Sequence, residues 1–410
     1  MKSNLALSLT ALIARALSSI IVFAVLAREW GATGFGQFAF VFGVATMSSL
    51  LSEFGFSTHA LQRFSRVATN EARFLVDEIV SVKLSLGLVV VLGNTAIALT
   101  GWFGDGAIQI AIALSVAAVA LGFSDFYTAV LRSIDSFALD AVISSTVNLS
   151  LFFAVMLGVH FGYGRPIHVA LAFCVARLIG MLLSMAILSD KLGRPRLAFG
   201  GVSAMRTTIR ANGNYALESG LWTAYTNVDL ILIRSFLGLH AVGVFQIGFR
   251  LFQGAMQFVP VLNSVFVPKL ARAHVDLSPP SSSMRVTYLV FGCGCGVGLL
   301  GAGVYAPLWL RHESFVGIES IFALFGALCI VRYLYAYVGA QLLAIGAQRS
   351  RVIAIAAGAV VLIPAALLGM HVYGVAGMVV AHLLSTSVML AVCAHSLKKL
   401  KSQTSIGRSE

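Results

Sequence analysis

The sequence predicts an all-α integral membrane protein: about twelve transmembrane helices in two six-helix lobes around a central cavity, both termini cytoplasmic. Three observations predict it. Mean hydropathy is +0.92, and only 11% of residues are Asp, Glu, Lys or Arg, whereas a soluble domain carries roughly 25%. About twelve apolar stretches, joined by short links, each reach the ~20 residues that cross a bilayer. Most basic residues gather on alternate links.

In chain order the first six spans are placed at residues 5–27, 36–57, 80–100, 107–130, 139–161 and 167–189. The second six are placed at 214–236, 242–268, 286–308, 317–346, 352–370 and 375–396. Helix is the default because an open chain in lipid must satisfy its own backbone; the alternating ten-residue segments of a barrel are absent. Span 1 is read as retained rather than as a signal peptide, because Arg15 interrupts its apolar core and no A-x-A site follows in place. The turn after span 1, Gly31 to Phe38, reads G-x4-G-x-F. The turn after span 7, Gly238 to Phe245, reads the same. That similarity predicts two parallel repeats. Residues 1–190 form the N-lobe, 191–213 a basic cytoplasmic linker with a helix lying on the inner surface, 214–396 the C-lobe, and 397–410 a disordered cytoplasmic tail. Pro279-Pro280-Ser-Ser-Ser283 reads as a flexible inner loop. Pro260, Pro268 and Pro364 are positioned to kink their spans. In span 9 the series from Gly292 to Gly298 reads as close helix packing, not as a phosphate loop.

Orientation follows from charge. Twenty of the 28 basic residues fall on the links and tails assigned to the inside, and three, Arg28, Arg165 and Arg311, on the outer links. Trp30, Trp102 and Trp309 fall at outer helix ends, where an aromatic belt belongs. The net charge of +12 does not indicate nucleic-acid binding, because the basic residues are spread along helix ends and form no patch. They read as orientation signals and anchors to anionic membrane lipids. The five cysteines lie within apolar stretches, and Cys293-x-Cys295 has the wrong spacing for a zinc or redox pair. No metal site is expected.

Charge inside the hydrocarbon is costly and normally faces a cavity or a partner. Arg15, Arg177, Arg234, Arg250 and Arg332 fall within spans, with Glu53, Asp125, Asp229 and Glu218 as the acids and His382 as a buried histidine. The excess of arginine suits a cavity for an anionic group. Glu53, near the inner end of span 2, reads as a helix-end salt bridge. In span 7, Glu218, Trp222, Tyr225 and Asp229 share one helix face; in span 8, Gln246, Arg250, Gln253 and Gln257 do the same. Such stripes do not face lipid, so spans 1, 7 and 8 are expected to line one aqueous cavity. Arg332 stands among Tyr333, Tyr335 and Tyr337. No H-E-x-x-H, G-x-S-x-G or paired-aspartate sugar-nucleotide motif occurs, and no catalytic role is expected.

Two blocks carry a family resemblance. Ala14-Arg15-Ala-Leu-Ser-Ser, Leu26-Ala-Arg28-Glu-Trp-Gly31, Gly34-Phe-Gly36-Gln-Phe38, Glu53-Phe-Gly55-Phe and Arg63 open the chain. Asp229-Leu-Ile-Leu-Ile-Arg234, Gly238 and Ala241-Val-Gly243-Val-Phe245-Gln246 open the second half. The chain resembles Wzx-like polysaccharide flippases of the multidrug/oligosaccharidyl-lipid/polysaccharide (MOP) exporter superfamily. The resemblance implies alternating access and a lipid-linked oligosaccharide, commonly on undecaprenyl diphosphate, turned from the inner to the outer leaflet of a bacterial inner membrane. The product would be O-antigen, capsule or exopolysaccharide. It implies no cofactor beyond coupling to a Na+ or H+ gradient, and as partners a polysaccharide polymerase and chain-length proteins. On this reading Arg15, Arg250 and Arg332 hold the anionic headgroup, Asp229 holds the coupling cation, and Glu218, Tyr225, Gln246, Gln253 and Gln257 line the cavity. A cation-coupled drug exporter would have a more acidic and aromatic cavity. A glycan polymerase or ligase would need a sizeable outer loop, and the outer links are only a few residues long.

Overall fold

A computed structural model describes residues 2–64, 69–133, 137–193, 201–275, 282–310, 315 and 317–406. Among them the regular structure is entirely helical: α1 (Lys2–Ser48), α2 (Leu50–Glu53), α3 (Phe56–Arg63), α4 (Thr69–Leu99), α5 (Ile108–Ser133), α6 (Phe137–His160), α7 (Pro166–Leu192), α8 (Gly201–Met256), α9 (Phe258–Val275), α10 (Ser282–Trp309), α11 (Ile318–Ala344), α12 (Gln348–Tyr373) and α13 (Val375–Ile406). Nine helical segments of the described residues are long and apolar enough to cross a membrane.

The longest helices hide turns. Gly31 interrupts α1 at φ 64°, ψ 178°. The rings of Phe23 and Phe42 lie 5.6 Å apart, whereas nineteen residues of straight helix span about 28 Å. The chain therefore doubles back at Gly31, within the turn predicted between spans 1 and 2. Gly238 interrupts α8 at φ 86°, ψ −178°. The first glycine of each G-x4-G-x-F block thus has the same backbone conformation, one essentially reserved for glycine. Gly31→Ala and Gly238→Ala are each expected to cost roughly 1–3 kcal/mol, read as a lowered unfolding temperature in detergent.

The helices form two compact units, Met1–Glu29 with Gly34–Leu230, and Trp30–Thr33 with Ile231–Glu410. Each is built around one helix. In the first, α5 packs against α7, α4, α3 and α6 and buries Leu114, Phe123, Phe126 and Leu131. In the second, α11 packs against α10, α13, α9 and α12 and buries Phe322, Phe325, Leu328 and Tyr333. These are the fourth predicted span of each half, a second match between the repeats. Outward faces are apolar: Leu171, Val175, Ile179 and Leu182 on α7, and Val360 and Leu368 on α12, are exposed. Continuous apolar surface of this kind is what lipid covers.

Local chemistry explains the remaining elements. Gly292, Gly296 and Gly303 of α10 face α11, where a Cβ would press on Tyr333, Gly326 or Phe322, while Gly294 and Gly298 meet nothing. The glycine series packs as predicted, through a subset of its members. Predicted span 8 is split at Gln257, three residues before Pro260. Trp30 stands beside the Gly31 corner, Trp102 follows α4 and Trp309 ends α10.

Within the segment read as a linker, residues 194–200 lie outside the described residues. Residues 201–213 begin α8, which continues into predicted span 7 as one helix up to Gly238. Thr208 and Asn212 there are buried, and the Thr208 hydroxyl donates to the Glu78 carboxylate on α4. That part is packed against the first unit and is no free surface helix. α13 runs to Ile406, beyond the predicted end of the last span. Lys398, Lys399 and Lys401 there complement the negative end of the helix dipole, so most of the expected disordered tail is helical, and 407–410 lie outside the described residues. Residues 276–281 of the expected Pro-Ser loop also lie outside them.

Candidate functional site

Five of the sequence-predicted site residues belong to the second unit. Gln246, Arg250 and Gln253 lie on α8, Gln257 at the α8–α9 break and Arg332 on α11. α8 meets α11 through aromatic side chains. The Phe325 ring sits 5.5 Å from Phe245, 6.2 Å from Phe249 and 5.5 Å from Phe252. The Tyr333 hydroxyl donates to the Ala255 carbonyl at 2.7 Å. The polar stripe occupies the neighbouring face of α8. There Arg250 Nη1 donates to Gln253 Oε1 at 3.4 Å, a long contact between residues one turn apart. Arg250, Gln253 and Gln257 are partly buried. Gln246 is only 1% exposed, and its Oε1 accepts no hydrogen bond from the described residues. An amide placed so costs about 1–3 kcal/mol.

Arg332 is partly buried between the buried Tyr333 and Tyr335. Tyr333 also approaches Cys295 Sγ at 3.7 Å, and Tyr337 packs on Tyr288, centroids 5.7 Å apart. The tyrosines serve the α8–α10–α11 packing and form no cage around the guanidinium. All five cysteines are free thiols.

Tyr225 and Asp229 belong to the first unit and are buried, Asp229 completely. Asp229 Oδ1 accepts the Leu230 N–H at 2.8 Å. This described half of the span 7 stripe is enclosed by protein. The side chains of Arg15 and Glu218 lie outside the described residues. His382 is buried, as expected. Among the described residues, no three His, Cys, Asp or Glu side chains gather into a metal site.

Two features escaped the sequence reading. Lys83 was counted with the inner-link charges, yet it is fully buried in α4 and paired with Glu53 at 2.6 Å. The signal was its place inside predicted span 80–100. Glu53 forms the salt bridge expected of it. Asp125 and Arg177, noted separately as intramembrane charges, line one groove between α5, α6 and α7.

Comparisons with known proteins identify the architecture. A profile of the family described as polysaccharide biosynthesis protein matches residues 1–274. No curated protein matches the chain. Among solved structures, the lipid II flippase MurJ in its inward closed conformation aligns with a TM-score of 0.78 at 14% identity, over 96% of this chain and 87% of that one. An inward-facing multidrug resistance MATE family transporter of the MOP superfamily aligns at 0.69 and 15%, over 97% and 99%. A MOP superfamily transporter from Pyrococcus furiosus aligns at 0.62 and 14%, over 98% and 97%. At these identities the structural likeness is one of fold. With two thirds of its length matched by the family profile and nearly all of it by the transporter fold, the chain belongs to the polysaccharide biosynthesis proteins of the MOP exporter superfamily.

Proposed function

We propose that the protein is a flippase that turns a lipid-linked oligosaccharide, carried on undecaprenyl diphosphate, from the inner to the outer leaflet of a bacterial inner membrane by alternating access. The proposal includes twelve spans, both termini in the cytoplasm, and a Na+ or H+ gradient as the coupling force with Asp229 as its site. The product serves O-antigen, capsule or exopolysaccharide assembly, alongside a polymerase and chain-length proteins. The observation that carries the reading is the partly buried Arg250 on a polar stripe of an otherwise apolar helix. A guanidinium there suits a diphosphate, which it binds with charge-assisted, bidentate geometry. The family match supports a polysaccharide precursor as the cargo.

The test is complementation of a host strain lacking the gene. Arg250→Ala and Arg15→Ala are expected to reduce surface glycan at least about tenfold, the loss of one charge-assisted hydrogen bond or more. Membrane insertion should be normal by immunoblot. Full complementation by both variants would remove these residues from the headgroup site. Drug resistance conferred by the wild-type gene, without any effect on glycan, would replace the reading with a drug exporter.

A further inference from the structure

The groove between α5, α6 and α7 in the first unit is the most polar surface these apolar helices share. Ser124, Asp125 and Thr128 line it from α5, Ser144 and Asn148 from α6, and Arg177 from α7. These positions fall at i, i+1 and i+4 on α5 and at i and i+4 on α6, so each helix turns one polar face inward to the same place. The walls are built. Gly180 lets α7 close on α6, where a Cβ would press on Val147 at 2.8 Å. Ser184 donates to the Gly180 carbonyl at 2.9 Å and to Ser124 Oγ at 3.4 Å, joining α7 to α5. Asn148 Nδ2 donates to the Ser144 carbonyl at 2.6 Å, and Thr128 Oγ1 to the Asp125 carbonyl at 3.2 Å. Those bonds hold both side chains in place while the Asn148 carbonyl oxygen accepts nothing from the described residues.

The groove is open, and Asp125 is exposed along it. Six polar side chains bared to acyl chains would be expensive, so the surface is made for something wet and polar. Its charge narrows the choice. One carboxylate and one guanidinium cancel, which disfavours a phosphate through Asp125 and a metal cation through Arg177. What remains is an alternation of acceptors (Asp125, the Asn148 carbonyl), donors (Arg177) and hydroxyls that do both (Ser124, Thr128, Ser144). A neutral polyhydroxyl compound, whose every group both gives and takes a hydrogen bond, matches that alternation. The depth agrees: Ser124 to Thr128 lie about 7–14 Å from the α5 terminus at Ser133, at 1.5 Å per residue. That end is the inner one in the proposed orientation.

We infer that the α5–α6–α7 groove is a sugar subsite, which engages the glycan part of the lipid-linked cargo separately from the residues that hold its diphosphate. This rests on the proposed function, and the test separates the two. The full-length protein in nanodiscs is titrated, by native mass spectrometry, with two probes. One is the polyisoprenyl-diphosphate glycan extracted from host cells lacking the gene. The other is undecaprenyl diphosphate. Asn148→Ala and Ser144→Ala are each expected to weaken the glycolipid about tenfold, one well-placed hydrogen bond or slightly more, and to change the bare lipid less than twofold. Retained bare-lipid binding shows that the variant is folded, and the second variant stands in if the first is not. Unchanged glycolipid affinity in both variants, or equal weakening of both probes, overturns the subsite and leaves the flippase reading intact. Failure of the wild-type protein to bind either probe overturns both.

Discussion

Glu53→Ala is expected to destabilise the protein by about 3 kcal/mol, the cost of leaving a buried charge without its partner. Lys83 has no solvent-exposed side-chain surface, and its Nζ meets Glu53 Oε2 at 2.6 Å. Around it stand the rings of Phe56, Phe123 and Phe126, with centroids 5.7, 5.5 and 5.6 Å away. The other carboxylate oxygen accepts the Ser57 N–H at 3.0 Å. It thereby caps α3 just after the left-handed turn at Phe54 and Gly55. One carboxylate therefore secures both a buried cation and a break in span 2. With Glu53 removed, only the ring quadrupoles face the ammonium, worth about 2 kcal/mol at best. The double variant Glu53→Gln with Lys83→Met is expected to recover most of the loss, because an apolar pair of similar volume often matches a buried ion pair. Thermal unfolding in detergent of both singles and the double gives the coupling directly. Equal stability of Glu53→Ala and wild type would show that the pair contributes nothing.

Gly377→Ala should cost about 3 kcal/mol, at the upper end of ordinary overpacking. α12 and α13 form a hairpin about Gly374, a glycine at φ 57°. At its neck the two backbones touch: a Cβ on Gly377 falls on the Gly369 carbonyl oxygen, and one on Gly369 lies 2.6 Å from that of Gly377. Backbone cannot rotate aside as a side chain does, so the helices must separate. Gly294→Ala is the control. Nothing lies within 4 Å of its added methyl, and its unfolding temperature should match wild type, a surface change within about 0.5 kcal/mol.

What the amino-acid pattern made legible was what depends on sequence neighbours. The corner at Gly31 was readable because a glycine-rich block between two apolar runs has few other uses. Its partner at Gly238 was readable by comparison with the first. The packing of Gly292 and Gly296 followed from their spacing of four. Lys83 was misread because a rule that counts charge by link cannot tell a lysine at a helix end from one turned inward beside three phenylalanines. The groove was illegible for a different reason. Ser124, Asn148 and Arg177 are unremarked on their own helices and acquire meaning only when α5, α6 and α7 pack. The span 7 stripe was half informative: its period was read correctly, but Tyr225 and Asp229 are enclosed in protein, and amphipathic spacing does not distinguish a wet wall from a buried seam.

The corner at Gly31 has a mechanical consequence. A single residue separates the ascending rod from the descending one, so the tip holds no slack. Neither rod can slide lengthwise past the other, and a displacement of one along the bilayer normal carries its mate along. Any movement that exposes cargo to the opposite side must therefore tilt such a hairpin whole, as a stiff paddle, and a piston stroke of one rod alone is ruled out.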